Sequence, residues 1–193
     1  MATRPQPPSR IAYNFFGSIR TPLTISLRNC LCSAVNDKFE EVTIIFSSDG
    51  GSVEDGLALY PFIRSLPIPR LRFHASGQIT SISIPVFLAA DIRTADPIAS
   101  NFAFHEYDWT YAQSTTLLES RMEEHLGSLR QAVGRAKTIL INRTTFPGGV
   151  SEIDGLFKAP RYMNANEAKA VGIVQEIEEL RLPADCKIFN VTV

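Results

Sequence analysis

The sequence predicts an α/β fold of repeated βαβ units carrying one long helix that projects from the rest. Three observations lead there. Val42 to Phe46 (VTIIF) is a β-branched, continuously apolar run, the pattern of a strand buried on both faces of a parallel sheet. It passes through Asp49, Gly50 and Gly51 into a helical spacing of Leu57, Leu59, Phe62, Ile63 and Leu66, the first half of a βαβ unit. Finally, Ser114 to Arg143 keeps apolar residues at threes and fours; about 30 residues at 1.5 Å rise reach roughly 45 Å, too far for a small sheet to cover.

Bulk properties narrow the class. The chain has 193 residues, 45% of them hydrophobic and 20% charged, with a formal net charge of −1. One domain over residues 11–193 is the expectation, preceded by a loosely held arm over residues 1–10. Lys and Arg form no block, which argues against a nucleic-acid or anionic-membrane surface. No apolar run approaches the ~20 residues of a membrane span. Cys30, Cys32 and Cys186 have no metal-ligand spacing; an odd count with no secretory signal reads as reduced thiols in a cytoplasmic protein. Neither a metal nor an organic cofactor is expected.

Taken in order, Ile11 to Ser18 reads as a first strand. Pro22 to Val35 reads as a helix, with Thr21 as cap and proline in the first turn. Cys30 and Cys32 fall on different faces of it. After VTIIF and the Gly-Gly turn, Pro67 and Pro69 stop the second helix. Leu71 to Ser76 is a strand, with His74 a core or interface residue. Ile92 to Ala95 and Asn101 to His105 are two short strands. On the long helix His125 faces solvent or a neighbour. Residues 107–148 form the projecting region, and a helix that keeps an apolar stripe beyond its own domain meets another subunit. Ser151 to Phe157 is a short helix, Ala165 to Val171 a helix closed by Gly172, Ile173 to Ile177 a strand, and Lys187 to Val193 an edge strand.

Chemistry concentrates in Gly77 to Ala90 (GQITSISIPVFLAA). Ser81 stands where a strand gives way to an apolar helix that starts near Ser81 or Ile82, with Pro85 inside its first turn. A nucleophile there meets unpaired N–H groups and the positive end of the helix dipole. The plainer alternative is that Ser81 caps the helix. For Gly50–Gly51, likewise, a tight turn stands beside a close backbone approach by a ligand.

A resemblance covers roughly residues 11 to 178. SDGGSVEDGLALY resembles the SPGGSV turn and helix of the Clp protease proteolytic subunits, the ClpP-type serine peptidases of the ClpP/crotonase fold. GQITS resembles their GQAAS, FAFHE their MIHQP, and NANEAKAVGIV their SAEEAKEYGLID. The resemblance implies Ser81 as nucleophile and His105 as general base, an imidazole that titrates near neutrality taking the hydroxyl proton. It implies the Gly51 and Ile82 N–H groups as oxyanion donors, and backbone pairing of Gly50, Ser52 and Val53 with an extended substrate. It also implies a ring homo-oligomer, stacked through the long helix, whose chamber receives unfolded polypeptides from an ATP-driven AAA+ unfoldase. The chain has no GxxxxGK[ST] loop, so that ATPase is a separate partner.

Three departures stand out. Aligned without gaps through NANEAKAVG, the third triad position is Pro160, and proline cannot orient an imidazole. Asp154, Glu106, Glu152 or a backbone carbonyl takes the role, with Asp154 the first choice, or a Ser–His dyad works slowly. Asp49 stands where the resembling turn has proline, and EYDWTYAQ after His105 lacks the expected glycines. Trp109 and Tyr111 pack across the groove or into a partner. Three functions follow: a serine endopeptidase, an assembly protein that kept the fold and lost turnover, and acyl-CoA chemistry on the same fold.

Overall fold

The computed structural model describes residues 9–108 and 118–192. Its elements are β1 (Arg10–Phe16), α1 (Thr21–Asn36), β2 (Glu41–Ser48), α2 (Val53–Ser65), β3 (Arg70–Thr80), α3 (Ser83–Phe87), β4 (Ile92–Ala95) and β5 (Asn101–Phe104). They continue with α4 (Glu119–Arg143), α5 (Gly149–Leu156), β6 (Arg161–Asn164), α6 (Ala165–Ala170), β7 (Glu176–Ile177) and β8 (Lys187–Asn190). The arm expected over residues 1–10 lies outside the described residues up to residue 8, and Arg10 already opens β1, paired with Glu41. Trp109 and Tyr111 also lie outside the described residues.

One mixed sheet runs β6-β5-β3-β2-β1-β8, with β4 beside β3 and β7 beside β4. All pairings are parallel except β5–β6. β3 organises it. Its first half, Arg72–Ala75, pairs with β4, and its second half, Gln78–Thr80, pairs with β5. Between them the register against β2 slips: Phe46 faces Ala75 but Ser48 faces Ile79, so two residues of β2 span four of β3. Gly77 sits in that bulge, where a Cβ would come 2.7 Å from Ser47 Oγ. The sequence predicts a strand ending at Ser76 because glycine reads as punctuation; here it is the bend that lets the strand continue to Thr80.

The core is a run of phenylalanines. Phe15, Phe46, Phe73, Phe87 and Phe102 are fully buried, with neighbouring rings 5.0–6.4 Å apart. Each such burial stabilises by about 1.5–3 kcal/mol. Every residue of α3 is buried in this core, which fixes the loop just before it. VTIIF is only half as dry as expected: Val42, Ile44 and Phe46 are buried, whereas Thr43 and Ile45 are half-exposed. The capping of α1 also differs. Arg20 is the N-cap, and Thr21 is the first helical residue, its hydroxyl donating to Asp55 (2.9 Å).

α4 is the described part of the long helix expected over Ser114 to Arg143, of which residues 114–117 lie outside the described residues. It buries only Ala132, Ala136, Ile139 and Leu140, all in its C-terminal half, while Met122 and Leu126 stay exposed near its start. Buried Arg93 of β4 ties its end to the body by donating to the carbonyls of Ala90, Gly172, Ile173 and Arg143. Burial lowers the Arg93 pKa to about 10. Asn164 and Glu167 form a capping box that starts α6. β6 has no counterpart in the sequence reading, and the strand expected over Ile173 to Ile177 shrinks to β7.

Candidate active site

Three adjacent parallel strands, β2, β3 and β5, end side by side, and their C-terminal ends carry Gly50–Gly51, Ser81 and His105. That edge is where open α/β sheets place their ligands. Ser81 and His105 line one cleft of about 260 Å³ together with Gly50, Gly51 and Val53.

Ser81 is held in a left-handed backbone conformation, φ 59°. Such a non-glycine residue costs on the order of 1–3 kcal/mol and persists only where its surroundings dictate it. Here its N–H donates to Ala103 O (2.9 Å) and its carbonyl accepts from Ile84 N–H (3.1 Å). The capping alternative fails: Ile82 is the N-cap of α3, with no side-chain cap bond. Ser83 is instead the structural serine. Buried, its hydroxyl lies 2.6 Å from Thr80 O and 3.1 Å from Ser48 O, clamping the ends of β3 and β2 together.

The Gly-Gly turn is shaped by close approach. A Cβ on Gly50 (φ 95°) would sit 2.9 Å from Ser81 Cβ and from Thr80 O. A Cβ on Gly51 (φ 138°) would lie 2.4 Å from Ile19 O. Ile19 N–H donates to Gly50 O (2.6 Å), and Ser52 N–H donates to Ile19 O (2.7 Å). Gly50 N–H donates to Ser48 Oγ (3.2 Å), and Ser52 Oγ accepts from Asp55 N–H, capping α2. The peptide groups of Gly50 and Ser52 expected to pair with substrate are therefore spent on building the loop. Among the described residues, neither Gly51 N–H nor Ile82 N–H donates a hydrogen bond. Gly56 of α2 leaves room for Ile82, whose Cγ1 would be 2.4 Å from a Cβ there. Ser18 Oγ donates to Asp49 (2.8 Å), so Asp49 ties this turn to the end of β1.

His105 is half-exposed, and its Nδ1 lies 2.6 Å from the carbonyl of Glu106. A carbonyl only accepts, so Nδ1 carries a proton, and in the neutral ring Nε2 keeps its lone pair. That is the tautomer a general base needs. Asp154 is not the partner. Its carboxylate meets Lys137 Nζ at 2.7 Å, and that bond holds its pKa below the usual carboxylate range. Glu152 is likewise committed, to Arg161 (2.6 Å) and Gly148 N–H (2.9 Å), which lowers its pKa. The antiparallel ladder of β5 and β6 ends at Phe104 and Arg161, so His105 and Pro160 are the first residues beyond it on either strand. No hydrogen bond joins Ser81 to His105 among the described residues. Below them Tyr107 is buried edge-on to Phe157, ring centres 5.3 Å apart, and burial raises its pKa.

Sequence reasoning missed Arg20 and Asp108 on the cleft wall, which no motif marks. His74 proves a core residue, Nδ1 2.8 Å from Thr94 Oγ1, its pKa lowered by burial. His125 is half-buried on α4.

This sheet, with the buried helix α3 at its centre, is the ClpP/crotonase-like fold. A solved structure, that of a ClpP1 point mutant from Listeria monocytogenes, superimposes with a TM-score of 0.75 at 22% identity, over 88% of this chain and 92% of the other. A comparison with curated protein sequences finds no match. The Clp protease family model matches residues 25–181, and the chain belongs to that family.

Proposed function

We propose that the chain is a serine-type endopeptidase whose nucleophile is Ser81 and whose base is His105. One observation carries this reading: both side chains line one cleft, and a main-chain carbonyl fixes the imidazole in its base-competent tautomer. In the proposed reaction Nε2 takes the Ser81 proton as Oγ adds to a peptide carbonyl. The resulting oxyanion is held by the N–H groups of Gly51 and Ile82, each such donor typically worth about 10²–10³ in rate. Collapse breaks the C–N bond, and the imidazolium gives its proton to the leaving amine. Water, deprotonated by the same nitrogen, then releases the acyl group and restores Ser81. The Ser81 hydroxyl must swing within reach of Nε2, a contact that free enzymes often make only with substrate bound. The Glu106 carbonyl replaces the missing acid, and Gly51 and Val53 are left to pair with an extended peptide.

The same reading makes the active form a ring homo-oligomer whose rings stack through α4. The exposed apolar residues Leu118, Met122 and Leu126 at and near the start of that helix support it. Substrates are unfolded polypeptides, supplied by a separate AAA+ unfoldase. The three free cysteines suit the cytoplasm. Among the described residues, no helix is long and apolar enough to cross a membrane.

Proline at position 160, where the family motif has its third triad member, and the lack of a Ser81–His105 bond among the described residues favour a second reading, an assembly protein without turnover. A fluorophosphonate probe separates the two. Labelling of wild type but not of Ser81→Ala supports the peptidase. Absence of labelling in the assembled wild type supports the scaffold.

A further inference from the structure

A second pocket, of about 380 Å³, opens beside the cleft and shares Gly51, Val53 and Asp108 with it. Its walls are Val53, Leu129 and Ala132, and its rim carries the carboxylates of Glu54 and Asp108. Resting on the peptidase reading, we propose that this pocket receives a lysine or arginine side chain of the substrate, directing cleavage beside basic residues. The aliphatic walls suit the stem of such a side chain and the carboxylates its charged head. Arg135 of α4 meets Glu54 at 2.5 Å and offsets one of the two negative charges. Asp108 has no ion pair among the described residues, so it is the group that a substrate cation would meet. The opposing cation, Arg20, lines the cleft but not this pocket. The cleft sets Arg20 beside Asp49 and Asp108, whereas the charged residues lining the side pocket are both acidic. Gly51 borders both spaces, so a side chain seated here belongs to a residue flanking the bond under attack.

The test uses assembled protein and two peptidyl diphenyl phosphonates that differ only in lysine or leucine at the reactive residue. A solvent-exposed ion pair is worth at most a factor of about five. The lysine reagent is expected to label Ser81 about fivefold faster, and the ratio of the two rates to fall towards one in Asp108→Asn and at high salt. Should a plain fluorophosphonate label Ser81 while the leucine reagent matches or beats the lysine one, the pocket assignment is overturned and the peptidase reading stands. Should the plain reagent fail as well, the peptidase reading falls, and argininamide titrated into the assembled protein and followed by NMR judges the pocket alone. Shifts at its residues that vanish in Asp108→Asn sustain cation binding there; no shifts at millimolar argininamide overturn it.

Discussion

Gly51→Ala is the most searching perturbation of the site. Its φ of 138° belongs to glycine, and forcing alanine there costs on the order of 1–3 kcal/mol. The new Cβ would lie 2.4 Å from Ile19 O, a backbone atom with no rotamer to escape into. The loop must therefore back away from Ile19, breaking the bonds Ile19 N–H to Gly50 O and Ser52 N–H to Ile19 O. Two such bonds are worth about 0.5–1.5 kcal/mol each. A total loss of about 2–6 kcal/mol follows, read as a lower urea midpoint at unchanged slope. The same shift turns the Gly51 N–H away from the cleft, so fluorophosphonate labelling of the folded fraction should slow by about 10²–10³. Gly134→Ala on α4 is the control: a Cβ there meets nothing within 4 Å, and the helix should gain about 0.5–1 kcal/mol. If Gly51→Ala unfolds within about 1 kcal/mol of wild type and labels at its rate, the reasoning about this loop is wrong.

Three further outcomes are expected. Asp154→Ala should leave Ser81 labelling within about twofold, because its carboxylate serves Lys137; a hundredfold loss would return it to His105. Pro160→Asp puts a carboxylate at the position where the family motif has its third triad member and should speed labelling about tenfold or more, measured as second-order rates; no change would mean that the Glu106 carbonyl already suffices. Burial lowers the His74 pKa below its ordinary value of 6.5, so the unfolded chain takes up its proton first as pH falls. The stability that neutral His74 contributes is complete above 6.5 and lost below it, as pH falls through the folded pKa. Urea midpoints at about pH 7.5 and 5.0 should therefore differ less in His74→Leu than in wild type, and an equal difference would contradict this.

What local pattern carries was legible from the residues. Pro22 in a first turn, Gly172 closing the helix before it, and the threes-and-fours spacing on the projecting helix each act within a few residues of themselves. So does the glycine pair after an apolar strand. The order of four short motifs then led to the family and to Ser81 and His105 as neighbours. Boundaries failed where a distant partner decided them: Gly77 reads as a stop until β2 and β5 hold it in a bulge, and β6 is a strand only because β5 lies against it.

The amino-acid order by itself determined the alternation of strands and helices, because periodicity and turn chemistry are short-range, and the order of its motifs pointed to Ser81 and His105 through the family resemblance. Only the tertiary structure decided what stands behind His105. Every residue has a carbonyl, so the one on Glu106 leaves no trace in the sequence, and Asp154 is drawn to Lys137 by a helix pairing that no motif encodes. The acidic pocket beside the cleft is of the same kind, assembled from residues of α2, α4 and the segment after β5 that folding alone brings together.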